Sequence, residues 1–127
     1  MQDKIIIDNW LLKSEEALRE AEINIKMNCL QSAQNRLYYA IFYAVNALAK
    51  SKGFITSKHS QLLGWFNREY VKTEILPKEI AKIYVETYEF RQKSDYTFSF
   101  KPNAEKLKLS MNEAEVLINK IKKILVT

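Results

Sequence analysis

The residues best suited to chemistry lie between positions 84 and 95, where tyrosine, arginine and aspartate recur at helical spacing. Tyr84, Tyr88, Arg91 and Asp95 follow one another at intervals of four, three and four, so in a helix they share one face. A guanidinium among phenol rings beside a carboxylate is a plausible anion-binding surface. The alternative is an ordinary Arg91 to Asp95 helix pair that contributes about 0.3 kcal/mol.

A second candidate group lies in an almost wholly apolar stretch, residues 32–48. Asn35, Arg36 and Asn46 are polar side chains embedded in it, and a helix that is apolar on nearly every side is normally buried. Buried polar groups need partners, because an unpaired one costs about 1–3 kcal/mol. Asn35 and Arg36 therefore belong either to a polar network in the core or to a subunit interface, where aromatic residues and arginine are favoured.

His59 is the only histidine, so chemistry that needs a neutral base near pH 7 must use it or proceed without one. The alternative is a packing or capping role at a helix start. A single cysteine, Cys29, allows neither an intrachain disulfide nor a cysteine–histidine zinc site. No paired-carboxylate, phosphate-loop or Ser-His-Asp pattern stands out, and we expect no metal and no cofactor.

The elements that must position these residues are predicted to be helices of one domain spanning residues 1–127. Gly and Pro occur only twice each, and a chain of this length can bury about two thirds of its unfolded surface. The predicted helices run from an Asp8 cap to Asn28, from Leu30 to Lys52 before Gly53, from about His59 after Ser57 to Val71, from Pro77 to about Tyr96, and from Pro102 to about Leu125. Short links predict an all-α, up-and-down antiparallel bundle of about five helices.

Net charge and hydropathy limit the classes of partner that this protein is expected to bind. The chain carries 20 basic and 15 acidic residues, a net charge of +5, which leans mildly toward anionic partners. No apolar run approaches the roughly 20 residues of a membrane span, and no signal peptide is recognisable. We expect a cytoplasmic protein with no membrane contact.

The sequence contains, in this order, NRLYYAIF at 35–42, KHS at 58–60 and RQKSDY at 91–96. Together these segments resemble the HEPN domain family over nearly the whole chain, most closely its small stand-alone prokaryotic members. The resemblance implies a helical bundle that forms a symmetric homodimer. It also implies a minimal nucleotidyltransferase as partner chain, the two acting as toxin and antitoxin. Many family members are metal-independent ribonucleases whose signature is an Arg followed after four to six residues by His, placed in a cleft across the dimer axis.

The chain matches the arginine of that signature with Arg91 but lacks the histidine, since Tyr96, Thr97 and Phe98 occupy its expected positions. Metal-free RNA cleavage needs a base, an acid and a cation for the phosphate. Asp95 is a poor base because a guanidinium one helical turn away stabilises its carboxylate. Tyr96 has an unperturbed pKa near 10, and His59 would have to approach from another helix.

In some family toxins the partner nucleotidyltransferase attaches a nucleotide to a tyrosine near the arginine motif. The resemblance makes Tyr96 the matching modification candidate.

Three functional hypotheses follow. The first is a dimeric partner of a nucleotidyltransferase that binds RNA or a nucleotide phosphate through Arg91 at a dimer groove, with Tyr84, Tyr88 or Tyr96 stacking on bases. The second is an active metal-independent ribonuclease toxin, with Arg91 holding the phosphate and His59, Asp95 or Tyr96 moving protons. The third is a non-catalytic dimerisation module. These hypotheses leave open whether the protein is an enzyme.

Overall fold

The structure is a computed structural model that describes residues 2–96 and 102–126, with side chains described for 3–93 and 102–126. Within these ranges it is an all-α bundle without strands. The helices are α1 Gln2–Lys26, α2 Leu30–Ser51, α3 His59–Phe66, α4 Lys78–Tyr96 and α5 Ala104–Val126, and the π-helical turn Asn67–Val71 continues α3. None of the described helices is long and apolar enough to cross a membrane.

Helix α2 is the centre of the bundle, because it packs against α1, α3, α4 and α5. Its fully buried side chains are Ala33, Leu37, Tyr38, Ala40, Ile41, Ala44, Val45, Ala47 and Leu48. The alanines present a thin surface that lets a neighbouring helix approach closely. On α1 the buried residues Ser14, Ala17 and Ala21 are equally small. The Ser14 hydroxyl donates to the Ala40 carbonyl oxygen at 2.6 Å, which ties α1 to α2.

Local signals at the helix ends explain most of the boundaries. Helix α2 stops at Ser51, and Gly53 adopts the left-handed φ of 76° that glycine tolerates best. Pro77 precedes α4, where its carbonyl oxygen accepts from the backbone N–H groups of Ile80 and Ala81. The predicted end of α2 at Lys52 and the predicted start of α4 at Pro77 each lie within one residue of the structure, and the predicted bundle of five helices is confirmed.

The predicted start of α1 was wrong, α5 begins at Ala104 rather than at Pro102, and α3 begins at His59 as predicted. Helix α1 begins at Gln2 rather than at an Asp8 cap, because no helix breaker interrupts residues 2–7 and Lys4 pairs with Asp8 one turn on, at 2.9 Å. At the start of α3, Thr56 takes the place expected for Ser57. Its hydroxyl oxygen accepts from the Lys58 backbone N–H at 3.1 Å and its O–H donates to Gln61 at 2.6 Å.

Candidate anion-binding site

Arg91, in the last third of α4, packs over two neighbouring tyrosines of α2. Its guanidinium carbon Cζ lies 5.1 Å from the ring centroid of Tyr38 and 5.2 Å from that of Tyr39. Both distances are within the range of cation–π attraction. The side chain is half-buried. The α2–α4 contact therefore holds a cation at the boundary between the core and solvent.

Arg36, from the first third of α2, lies against one of the same rings. Its Cζ is 5.0 Å from the Tyr39 ring centroid, so Tyr39 contacts two guanidinium groups. Asn35 orients Arg36, because its Oδ1 accepts from Nε at 3.2 Å and from Nη2 at 2.9 Å. Glu20 lies 3.5 Å from Arg36 Nη1, a long contact that offsets part of the positive charge.

His59, the first residue of α3, joins this group from a third helix. Its Nδ1 lies 2.7 Å from the hydroxyl oxygen of Tyr38, and its ring stacks on Phe42 with centroids 4.2 Å apart. Burial, and after it the positive charge of Arg91, lower the pKa of His59 below its usual value of 6.5. The imidazole is therefore mostly neutral at pH 7.

Tyr38 connects the two halves of the site, since its ring receives Arg91 and its hydroxyl meets His59. The side chain is fully buried, and burial raises the pKa of the phenol well above its usual 10, so it stays protonated. Tyr88 also contacts the Tyr38 ring, at a centroid distance of 6.0 Å. We call the whole group the Arg91 cluster. Its members are Tyr38, Tyr39, Phe42, His59, Tyr88 and Arg91.

Tyr84 does not belong to the exposed part of this surface. Its ring is fully buried against Phe66 and Tyr38, so no ring face remains for a nucleic-acid base. This corrects its predicted stacking role. Burial raises the pKa of the Tyr84 phenol, and within the described part of the chain its hydroxyl has no hydrogen-bond partner. Tyr84 is a core residue.

The remaining predicted site residues are distributed as follows. Arg91, His59, Tyr88 and, through Tyr39, Arg36 with Asn35 come together. Asp95 and Tyr96 lie in the last turn of α4, but their side chains are outside the described residues. The catalytic roles of both and the modification of Tyr96 stay predictions. Among the described residues no group of three or more His, Cys, Asp or Glu side chains could hold a metal ion.

Sequence reasoning missed Tyr38, Tyr39 and Phe42 as site residues. They were visible as part of the NRLYYAIF segment, but an aromatic helix next to alanines is most simply interpreted as core. The one available signal was the pairing of consecutive tyrosines with Arg36 in the same turn. Guanidinium groups and an imidazole beside aromatic rings are the kind of side chains that proteins use for phosphates and bases.

Comparison with known proteins supports a single assignment. Residues 7–126 match the family model described as HEPN domain. The chain is 40% identical over 120 residues to the UPF0332 protein of Thermotoga maritima, covering 94% of this chain and 91% of that protein. Two proteins of Methanocaldococcus jannaschii are named as candidate toxins. The chain is 30% identical to one over 121 residues, covering 95% and 82% of the two chains, and 32% identical to the other over 112 residues, covering 88% and 83%.

Proposed function

This chain belongs to the HEPN domain family, and we propose that it is the toxin-type component of a nucleotidyltransferase/HEPN two-component system. Two of its relatives are named as candidate toxins, and both cover most of its length. In this proposal the partner chain is a minimal nucleotidyltransferase that keeps the HEPN chain inactive. The proposal predicts growth arrest when the chain is produced alone in bacteria, and relief of the arrest when the neighbouring nucleotidyltransferase gene, if one exists, is expressed with it.

The ligand in this proposal is RNA or a nucleotide, held by its phosphate at Arg91. The observation that carries it is the placement of two guanidinium groups, Arg36 and Arg91, on the single ring of Tyr39. A guanidinium presents a planar fork of donors that matches phosphate oxygens. The half-buried rings of Tyr39 and Tyr88 supply surfaces on which a base can stack.

A groove between two copies would complete this site. Three aromatic side chains of α2, Tyr39, Phe42 and Tyr43, are only half-buried, and Trp10 of α1 stacks on Tyr43 at 5.8 Å. Aromatic residues beside an arginine are enriched at subunit interfaces. We therefore propose that two copies meet along this face of α2 and α4, with Arg91 at the edge of the contact. Sedimentation of the purified protein at several concentrations tests the dimer directly.

Binding assays test the role of Arg91. We expect Arg91→Gln to weaken binding of a labelled single-stranded RNA or of adenosine monophosphate by about tenfold or more, because a charge-assisted hydrogen bond to phosphate contributes about 1.5–3 kcal/mol. Arg91→Lys keeps the positive charge but loses the planar set of guanidinium donors, so its affinity should lie between those of wild type and Arg91→Gln. Arg68→Gln is the matched control, since it removes the same charge from an exposed position, 61% accessible. Equal binding by wild type and Arg91→Gln would remove Arg91 from the site.

A second candidate function is metal-independent ribonuclease activity. The specific observation in its favour is that His59, from a different helix, is hydrogen-bonded to the tyrosine on which Arg91 packs. A base or acid is thus brought near the phosphate-binding cation although the histidine expected after Arg91 is missing. RNA cleavage in the presence of a metal chelator, lost in both His59→Gln and Arg91→Gln, would support it. RNA left intact by the purified wild-type protein argues against it.

A further inference from the structure

We infer that His59 and Arg91 form a composite phosphate-binding pair, in which the buried hydroxyl of Tyr38 positions the imidazole and makes Nε2 the nitrogen that carries hydrogen. This inference rests on the proposed phosphate-binding function and adds a second donor and a positioning residue to it. The shared ligand chemistry is a phosphate group, whether of a free nucleotide or of an RNA backbone.

The first step is the direction of the hydrogen bond between Tyr38 and His59. Their contact is short, 2.7 Å from hydroxyl oxygen to Nδ1. Either Tyr38 donates to Nδ1, or Nδ1–H donates to Tyr38. In the second case the phenol O–H needs another acceptor, and among the described residues Tyr38 has no hydrogen-bond partner except His59. Because an unpaired buried donor is costly, Tyr38 is the donor and Nδ1 the acceptor.

The second step is the tautomer that this bond selects. A neutral imidazole carries one hydrogen, so an accepting Nδ1 leaves that hydrogen on Nε2. The neutral state is the one favoured here, because burial and the charge of Arg91 both lower the pKa of His59. Phe42 stacks on the ring at 4.2 Å and Tyr39 meets it edge-on at 5.9 Å, which limits rotation of the ring.

The third step is the consequence for function. The two nitrogens of an imidazole diverge, so Nε2 points away from Tyr38, and His59 is only half-buried. Nε2–H can then donate to a phosphate oxygen alongside the guanidinium of Arg91. In this tautomer Nε2 has no lone pair with which to accept a proton. In this state His59 donates to the phosphate, whereas the ribonuclease candidate needs the other tautomer or the protonated ring for His59 to move a proton.

Nuclear magnetic resonance of the wild-type protein tests the tautomer without any variant. His59 is the only histidine, so its two ring nitrogens can be assigned unambiguously from nitrogen-15 spectra. Near neutral pH we expect hydrogen on Nε2 and none on Nδ1. Tyr38→Phe should shift the ring toward a mixture of tautomers. Tyr43→Phe is the control, because it removes a phenol hydroxyl from the same helix where the ring stacks on Trp10. Hydrogen found on Nδ1 in the wild type would overturn the inference.

Titrations with inorganic phosphate, adenosine monophosphate and a short single-stranded RNA test the donor role. We expect His59→Leu to weaken binding by about tenfold, and Tyr38→Phe by roughly threefold, because a mixed tautomer offers the donor part of the time. His59→Gln, whose side-chain amide can replace Nε2–H, should restore part of the loss. Tighter binding of RNA than of the monophosphate identifies the backbone as the source of the phosphate, and the reverse order identifies a nucleotide.

The outcomes separate this inference from the proposed function. If Arg91→Gln loses phosphate binding while His59→Leu binds like wild type, the composite pair is wrong and the role of Arg91 stands. If Arg91→Gln also binds like wild type, the phosphate-binding function itself fails. If both lose binding and His59→Gln recovers part of it, the pair is supported.

Discussion

Two tyrosines in contact should respond in opposite directions to the same substitution. Tyr38 and Tyr84 are both fully buried, with ring centroids 6.4 Å apart. The Tyr38 hydroxyl bonds His59, whereas the Tyr84 hydroxyl has no partner within the described part of the chain. A buried unpaired hydroxyl costs about 1–3 kcal/mol, and a typical paired one contributes about 0.5–1.5 kcal/mol. The sign of the change in the free energy of unfolding can therefore be predicted for the removal of each hydroxyl oxygen.

For Tyr84→Phe we expect the free energy of unfolding to rise by about 1 kcal/mol, because relief of the desolvation penalty outweighs the van der Waals attraction that one oxygen atom provides. For a domain of this size that corresponds to an increase in Tm of about 4 °C. For Tyr38→Phe we expect a decrease of about 1 kcal/mol. Neither change should alter the surface exposed on unfolding.

Urea denaturation with circular dichroism measures both variants against wild type. The midpoint should move up for Tyr84→Phe and down for Tyr38→Phe, with unchanged slopes. A loss of stability in Tyr84→Phe would refute the reasoning, because it would mean that the hydroxyl is satisfied in solution. Movement of both midpoints in the same direction would show that ring packing, and not the hydrogen bond, dominates at these positions.

Three further predictions concern other parts of the molecule. Ser14→Ala removes the buried hydrogen bond to the Ala40 carbonyl oxygen and should lower the free energy of unfolding by about 1 kcal/mol in urea denaturation; no measurable loss would mean that this bond does not help to hold α1 on α2. The pKa of His59 is lower in the folded state than its usual value of 6.5. Between these two pKa values the unfolded chain binds more protons than the folded chain, so Tm should fall as the pH drops through 6.5 and should level off below the folded-state pKa. His59→Gln should flatten that part of the thermal-melting profile, and an unchanged profile would contradict the assignment. Gly53→Ala should lower the free energy of unfolding by about 1 kcal/mol because φ is 76°, although no described atom beyond the neighbouring residues lies within 4 Å of the added Cβ; a variant as stable as wild type would show that the left-handed turn is not needed.

The helices themselves could be predicted because helix formation depends on neighbours three and four residues apart. The apolar period of α5, the glycine after α2 and the proline before α4 are all local signals. The same locality explains the errors. The start of α1 has no distinctive breaker, and Thr56 and Ser57 are chemically almost equivalent as helix-start residues, so only the backbone geometry distinguishes them.

Which side chains form the candidate site could not be predicted from local sequence patterns alone. The sequence pointed to Arg91 through helical spacing and the family resemblance, and to His59 because it is the only histidine. It placed Tyr84 and Tyr88 on one helix face, but it could not show that the first is sealed in the core while the second borders the surface. That distinction depends on where each turn of α4 lies against the neighbouring helices, because residues four apart share a face but lie about 6 Å apart along the helix axis.

The amino-acid sequence by itself determined that this chain is a five-helix bundle of the HEPN family, with an arginine near the end of α4. Only the tertiary structure decided that Tyr38 bonds His59, that Arg91 packs on Tyr38, and that Tyr39 contacts both Arg36 and Arg91. The physical reason is the range of the interactions. Helical periodicity acts over a few residues, whereas the bond between Tyr38 and His59 joins side chains 21 residues apart, and such a meeting depends on the packing of whole helices.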